Sequence, residues 1–292
     1  MTIPTHQFRN FGIAECKIKL KLFTYITGEG MPSDNFVTFW LAKVDLPYFL
    51  EPHEFYVSEA RRRLLSQFGD LAQEAEQREV QFLEATAQYF NPDYDDPSAA
   101  YEQAYQEGVS YVWSLMEMQN SVLLAVTAGM YHQFDKMLRK HTIKELSNWC
   151  EREIIVPMIW NLTFNQLINF LEWIGLKING TEYGEKIKAC NLVVNVYKHG
   201  DGDSHQTLSL THPEYYPHPT GVRDWQTIPV HDDLQVTEEQ FVEFADAITA
   251  FWRAVPEHCY FSDLKDEPKW IEQVVANIER KKKKGNSNHK AP

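Results

Sequence analysis

EFYVSEARRRLLSQFGDLAQEAEQREVQFLEATAQYF, residues 54 to 90, is the stretch whose reading decides the fold class. Its apolar residues recur at mixed three- and four-residue spacings among charges, which is the stripe of an amphipathic helix. From about Pro52 the chain therefore reads as helical, until NPDYDDPSAA (91–100) interrupts it. A second long pattern runs from about Ala99 to His141, with Gly108 or Gly129 as a place to kink. A third follows Pro157 in MIWNLTFNQLINFLEWI (158–174) and stops at Gly175. Thr181 opens a fourth, with Glu182 in the first turn where the helix dipole favours an acid, and Gly200 closes it. In VTEEQFVEFADAITAFWRAV (236–255), Thr237 and Gln240 make a capping box for the last core helix. One more helix is expected near Lys269 to Ile278.

Outward from these helices the signal weakens. KIKLKLFTYI (17–26) and FVTFWLAKV (36–44) are strand-like pieces around a Gly-rich turn, and read as a hairpin or an edge flap; TIPV (227–230) is a candidate short strand. KKKKGNSNHKAP (281–292) reads as a disordered basic tail. The expected architecture is all-α, a helical bundle. Residues 1–50 form an N-terminal segment, 51–255 the bundle, and 256–292 a C-terminal extension.

At 292 residues and 43% hydrophobic the chain is long and apolar enough to bury a sizeable core. The formal charge is −13, and six positive charges stand after residue 279 with no acid among them, so residues 1–279 carry −19. Such a body repels polyanions, which disfavours broad duplex binding while leaving room for a local cleft of Lys, Arg and His. Cys16, Cys150, Cys190 and Cys259 are far apart with no CxxC pair, against a zinc knuckle, a redox motif or a disulfide scaffold. MTIPTHQFRN lacks the pattern of a signal peptide, and the apolar run near Val122 to Met130 is too short for a membrane span. The expected location is cytoplasmic.

The chemistry-bearing segment is NVYKHGDGDSH (195–205). On a helical wheel of residues 181–199, Lys188, Asn191, Asn195, Lys198 and His199 share an arc of about 100°, while Ile187, Leu192, Val193, Val194 and Val196 mostly line the rest. Asn191, Asn195 and His199 are four residues apart, so two amides and an imidazole stack in a row that can hydrogen-bond a phosphate, a ribose or a partner helix. Lys198 and His199 before Gly200 also fit an ordinary helix terminus, where cations suit the dipole and glycine the left-handed cap. In VTAGMYHQFDKMLRKH (126–141), His132, Asp135 and Arg139 fall on one helix face; the carboxylate could orient an imidazole and the guanidinium bind a phosphate. The same spacing suits a salt-bridged face open to solvent.

A long helix with YHQFDKMLR, followed after an intervening helix by NLVVNVYKHGDGDS, resembles the HEPN superfamily, a helical-bundle class of prokaryotic defence, toxin–antitoxin and RNA-processing systems. The resemblance covers roughly residues 110–255. It implies a homodimeric bundle whose active members cleave RNA without metal or cofactor, using an Arg, a following polar residue, a His a few positions on, and an acid on a nearby helix. Carried onto this chain, Asn195 takes the polar position, His199 the histidine and Asp135 the acid, and Val194 stands where the arginine belongs. Lys198 or Arg139 would supply the missing cation, with Asn191 and His132 as further substrate contacts. The implied chemistry is attack of a ribose 2′-hydroxyl on the adjacent phosphate, with His199 as acid or base and Asn195 holding a non-bridging oxygen. Absence of the arginine would cost on the order of 3 kcal/mol of transition-state binding.

Other signals carry less. Asp201-Gly-Asp203-Ser204 is no calcium loop, because His212 stands where the twelfth-position glutamate belongs; it reads as the turn after the helix. His199, His205, His212 and His218 lack the spacing of a zinc site, so no metal is expected. Tyr215, Tyr216 and Trp225, near Arg223, could stack on bases or cover the core. Two functions follow: a HEPN-like, metal-independent endoribonuclease of a defence or toxin–antitoxin system, or a catalytically inactive interaction subunit of the antitoxin or immunity type. The second fits the acidic body, which suits a basic protein partner. RNA, a protein partner and a second copy of the chain are the expected partners, and no membrane is. Binding of a nucleotide or small phosphate ligand by the polar strip is a third option.

Overall fold

The pattern of residues 54–90 forms two helices rather than one. In the computed structural model, which describes residues 34–217, 229–264, 268–271, 273–278 and 280, it is divided between α1 (Leu46–Arg63) and α2 (Leu71–Thr86). Asp70 makes the break: its carboxylate accepts from the N–H groups of Ala72 (3.0 Å) and Gln73 (3.2 Å), an N-cap that starts a new helix after Gly69. Pro52 lies inside α1, near its start, where its missing N–H forfeits a single helical bond.

The second pattern is one uninterrupted helix of 50 residues, α3 (Pro97–Leu146). Neither glycine ends it; both admit a neighbour. The Tyr56 hydroxyl occupies the place of a Cβ on Gly129 and donates to the Val126 carbonyl at 3.1 Å, and Glu79 fills the equivalent space at Gly108. The third pattern is again two helices, α4 (Arg152–Asn161) and α5 (Phe164–Trp173). Between them Thr163 and Gln166 form a reciprocal capping box, with N–H to side-chain distances of 3.3 and 3.0 Å. Pro157 is inside α4, and Gly175 follows α5 at φ 110°, a conformation that favours glycine.

α6 (Glu182–His199) starts and ends as expected, α7 (Asp203–Thr211) occupies what reads as a turn, and α8 (Glu238–Ala254) opens on the Thr237/Gln240 capping box. Residues 270, 271, 273–278 and 280 are helical, as expected near Lys269 to Ile278. Residues 229 and 230 of TIPV are not in a strand, and 227 and 228 lie outside the described residues, as do residues 17–26 and the basic tail. Among the described residues the elements are eight α-helices, that C-terminal helical segment, short 3₁₀ turns and a two-stranded sheet, so the fold class is all-α. No helix among them is long and apolar enough to cross a membrane.

Two compact units divide the chain. The first holds residues 1–50, 134–188 and 247–292. In it β1 (Val37–Trp40) pairs antiparallel with β2 (His258–Tyr260), Phe39 opposite Cys259 and Trp40 opposite His258. So short a pair needs pinning. The Trp149 indole donates to the Thr38 carbonyl (2.8 Å) and the Thr38 hydroxyl to the Cys259 carbonyl (3.1 Å). Leu138, Leu146, Ile159, Leu167, Leu171 and Ile174 have no exposed surface, and Phe134, Phe251, Trp252 and Phe49 pack as an aromatic cluster beside them. Each such side chain contributes about 1.5–3 kcal/mol on burial.

The second unit holds residues 51–133 and 189–246. Its core is built on Met130, Leu208, Tyr215, Phe241 and Phe244, with Tyr215 stacked on Phe244 at 5.7 Å between centroids. The His53 ring donates to the Ala245 carbonyl at 2.9 Å, and burial lowers its pKa. Residues 71–118 form a helical hairpin in which no residue of α2 is buried.

Candidate functional site

α6 carries the polar strip because its sequence fixes both ends. Gly180 N–H donates to Glu185 and Gly184 N–H to the Thr181 hydroxyl, while at the other end Gly200 adopts φ 69° and donates back to the Val196 carbonyl at 2.8 Å. Lys188, in the first unit, is paired with Glu185 at 2.9 Å.

In the second unit, Cys190, Val193, Val194 and Val196 are buried, whereas Asn191 and Asn195 are half-buried and Lys198 and His199 are exposed. The amides form the expected ladder: Asn195 Nδ2 donates to Asn191 Oδ1 (3.3 Å), and Asn191 Nδ2 donates to the Tyr131 hydroxyl (2.7 Å). Tyr131 joins this row from α3. The ladder stops short of the helix end, since His199 makes no hydrogen bond or ion pair among the described residues. His132 is exposed, its ring 5.9 Å from that of Tyr131. Val194 is 1% exposed.

Asp135 and Arg139 belong to the first unit, and there they hold each other. Arg139 Nε donates to Asp135 Oδ2 at 2.8 Å, and Nη1 donates to the carbonyls of Ile159 (2.5 Å) and Leu162 (3.0 Å). Arg139 is thus turned inward, satisfying carbonyls at the end of α4 that would otherwise lack donors. Asp135 Oδ1 is buried and has no hydrogen-bond partner among the described residues.

Two clusters escape the sequence reading. After α6, Asp201 faces two imidazoles, His231 Nδ1 at 3.2 Å and His205 Nε2 at 3.8 Å, while His205 also contacts the Tyr216 hydroxyl (2.8 Å) and the Pro229 carbonyl (2.9 Å). Burial raises the Tyr216 phenol to about 12, with Asp201 and Asp233 adding to it. Tyr215 and Tyr216 thereby serve the core; Arg223 and Trp225 lie outside the described residues. The only sequence signal is the aspartate beside a glycine, and its partner His231 stands 30 residues away.

The second cluster is in the first unit. A cavity of about 340 Å³ is lined by β1, Glu145, Asn148 and His258. Glu145 is 4% exposed, and desolvation raises its carboxyl, an effect that Lys144 at 3.5 Å opposes. His141, between the rings of Phe39 and Phe49, is pushed down to about 4 by desolvation first and then by Lys144, while a backbone hydrogen bond to Trp40 acts the other way. A neutral imidazole and a carboxyl that resists ionisation are the result. Among the described residues no group of three or more His, Cys, Asp or Glu is placed to hold a metal ion, and Cys150, Cys190 and Cys259 are buried free thiols.

No family model matches the chain, and neither a curated protein nor a solved structure is similar enough to match it.

Proposed function

We propose that the protein is a non-catalytic helical interaction subunit, of the antitoxin or immunity type, related by resemblance to the HEPN class of prokaryotic defence proteins. The observation that carries this reading is Val194. At 1% exposure it fills core space where an active relative of the resembled family would present a guanidinium. Of the two other candidate cations, Arg139 is engaged by Asp135 and two backbone carbonyls, while Lys198 is exposed at the end of α6. A phosphorane-like transition state would therefore meet Asn195 and His199 without the arginine that neutralises it. What is left is an acidic helical body suited to a basic partner.

The test is incubation of purified protein with mixed RNA in chelator, beside His199→Ala. Equal, background-level degradation by both is expected. Cleavage by the parent chain that His199→Ala abolishes would overturn the reading. A metal-independent ribonuclease is the second reading, supported by the exposed His199 and Lys198 at the end of α6.

A further inference from the structure

The hairpin of α2 and the first part of α3 is built unlike the rest of the chain. Residues 70–120 hold eleven Asp and Glu against a single base, Arg78, a net −10 out of the chain's −13. Arg78 is itself bonded to Glu107 within the hairpin, and its guanidinium lies 5.9 Å from the Tyr111 ring centroid. Among these charges stand large exposed rings and thioethers: Tyr101 is 66% exposed, Tyr105 55%, Trp113 63% and Met116 46%. At about 100° per residue these four lie within an arc of about 120° on α3. Glu102 falls inside that arc and Glu117 about 40° beyond it. An apolar stripe of this kind on a helix gains nothing from water, and contiguous exposed patches mark interaction sites. Tyr, Trp and Met are also the residues enriched at the centres of protein interfaces.

Charge selects the occupant. A second copy would bring one −10 surface against another, and a nucleic acid or an anionic membrane would be repelled in the same way. A surface rich in Lys and Arg is attracted, and its side chains can pair with carboxylates while lying on the exposed rings. At the tip of the hairpin a cleft of about 550 Å³ is lined by Tyr89, Phe90 and Tyr101 together with Asp95 and Asp96, an arrangement of rings and carboxylates that suits a cationic side chain. Hydrogen bonds from the hydroxyl and N–H of Ser98 favour the ionised form of Asp96. At a rise of about 1.5 Å per residue the stripe from Tyr101 to Met116 runs about 22 Å along α3.

We propose that the outer face of the α2–α3 hairpin, centred on Tyr101, Tyr105, Trp113 and Met116, docks a partner protein through a lysine- and arginine-rich surface. This rests on the interaction-subunit reading and names its contact face. The test titrates the full chain with a labelled amphipathic helical peptide of Lys, Arg and Leu, and with a counterpart carrying Glu in place of the bases. The parent chain should bind the cationic peptide alone, more weakly at about 300 mM than at about 50 mM salt. Tyr105→Ser/Trp113→Ser should weaken binding at least about tenfold, and Leu210→Ser, at an 84% exposed position on α7, should not.

No binding by the parent, or equal binding by the double variant, overturns the proposal. It is also overturned if removal of residues 281–292 tightens peptide binding about tenfold, since the chain's own lysine tail would then occupy the face. Sedimentation showing a dimer that the double variant dissolves would assign the face to a second copy instead. RNA degradation lost in His199→Ala would sink the interaction-subunit reading without touching these binding curves, so the two failures are distinguishable.

Discussion

Replacing Arg139 by Ala removes a side chain that closes three interactions at once, and the loss can be worked from its partners. The guanidinium is 8% exposed, donates to Asp135 and to the carbonyls of Ile159 and Leu162, and leaves all three without that donor when truncated. A charged hydrogen bond contributes about 1.5–3 kcal/mol, and breaking a buried ion pair from one side costs about 3–5 kcal/mol. The two overlap, because the orphaned Asp135 is 20% exposed and keeps some solvation, so the expected loss is about 4 kcal/mol. With an unfolding entropy of about 2.1 cal/mol/K per residue over the whole chain, this lowers Tm by about 6 °C. Arg139→Lys should recover roughly half, since one ammonium can face Asp135 without spanning both carbonyls. Lys140→Ala, at an exposed neighbouring position, should stay within about 0.5 kcal/mol of the parent. The assay is thermal denaturation by circular dichroism, checked by urea titration. An Arg139→Ala variant melting within about 1 °C of the parent would refute the reasoning and return Arg139 to the list of ligand-facing cations.

His141 makes stability fall in acid. Its imidazole is held near 4 in the folded chain against about 6.5 when unfolded, so stability is fully present above about pH 6.5 and is lost toward pH 4; the loss should reach about 2 kcal/mol at pH 5. Glu145, whose carboxyl is raised, contributes with the opposite sign, so the measurement is urea unfolding at pH 7 and pH 5 for the parent and His141→Gln, the variant being less acid-sensitive. An unchanged slope counts against a buried neutral imidazole. Val194→Arg, which installs the arginine of the resembled family, should cost several kcal/mol by burying an unpaired charge; a folded, RNA-cleaving Val194→Arg protein would contradict a tightly packed Val194. Cys150, Cys190 and Cys259 should resist iodoacetamide until the chain unfolds, because burial raises each thiol, Cys259 to about 12; rapid native labelling found by peptide mass spectrometry would oppose that.

Helices are legible here where a local cap coincides with a change of pattern. Thr237 and Gln240 stand just before an apolar run, and Glu182 and Gly200 bracket α6, so those ends can be read directly. The breaks at Asp70 and at Thr163 carry the same kind of signal, Thr163 with Gln166 repeating the spacing of Thr237 with Gln240. They are hard to read because the three- and four-residue apolar periodicity runs on across both. Pro52 and Pro157 mislead in the other direction, since each lies inside its helix, the seventh residue of α1 and the sixth of α4, and does not mark the first residue. α7 looks like a turn because glycine and aspartate precede it, although Asp203 then sits in a first turn where acids are favoured.

The candidate site divides in the same way. The Asn191–Asn195 contact follows from helical spacing alone, whereas Tyr131 joins them from 60 residues away and Asp201 meets His231 across 30. By itself the sequence determined what depends on neighbours along the chain: helical class, caps, the polar strip of α6 and the concentration of acid in residues 70–120. Only the tertiary structure decided that Arg139 faces inward to carbonyls, that Val194 is sealed in a core, and that Thr38 meets Cys259. The reason is physical: periodicity and capping are energies of residues one to four positions apart, while burial and charge pairing are settled by whichever distant segments come to share one volume from which water is excluded.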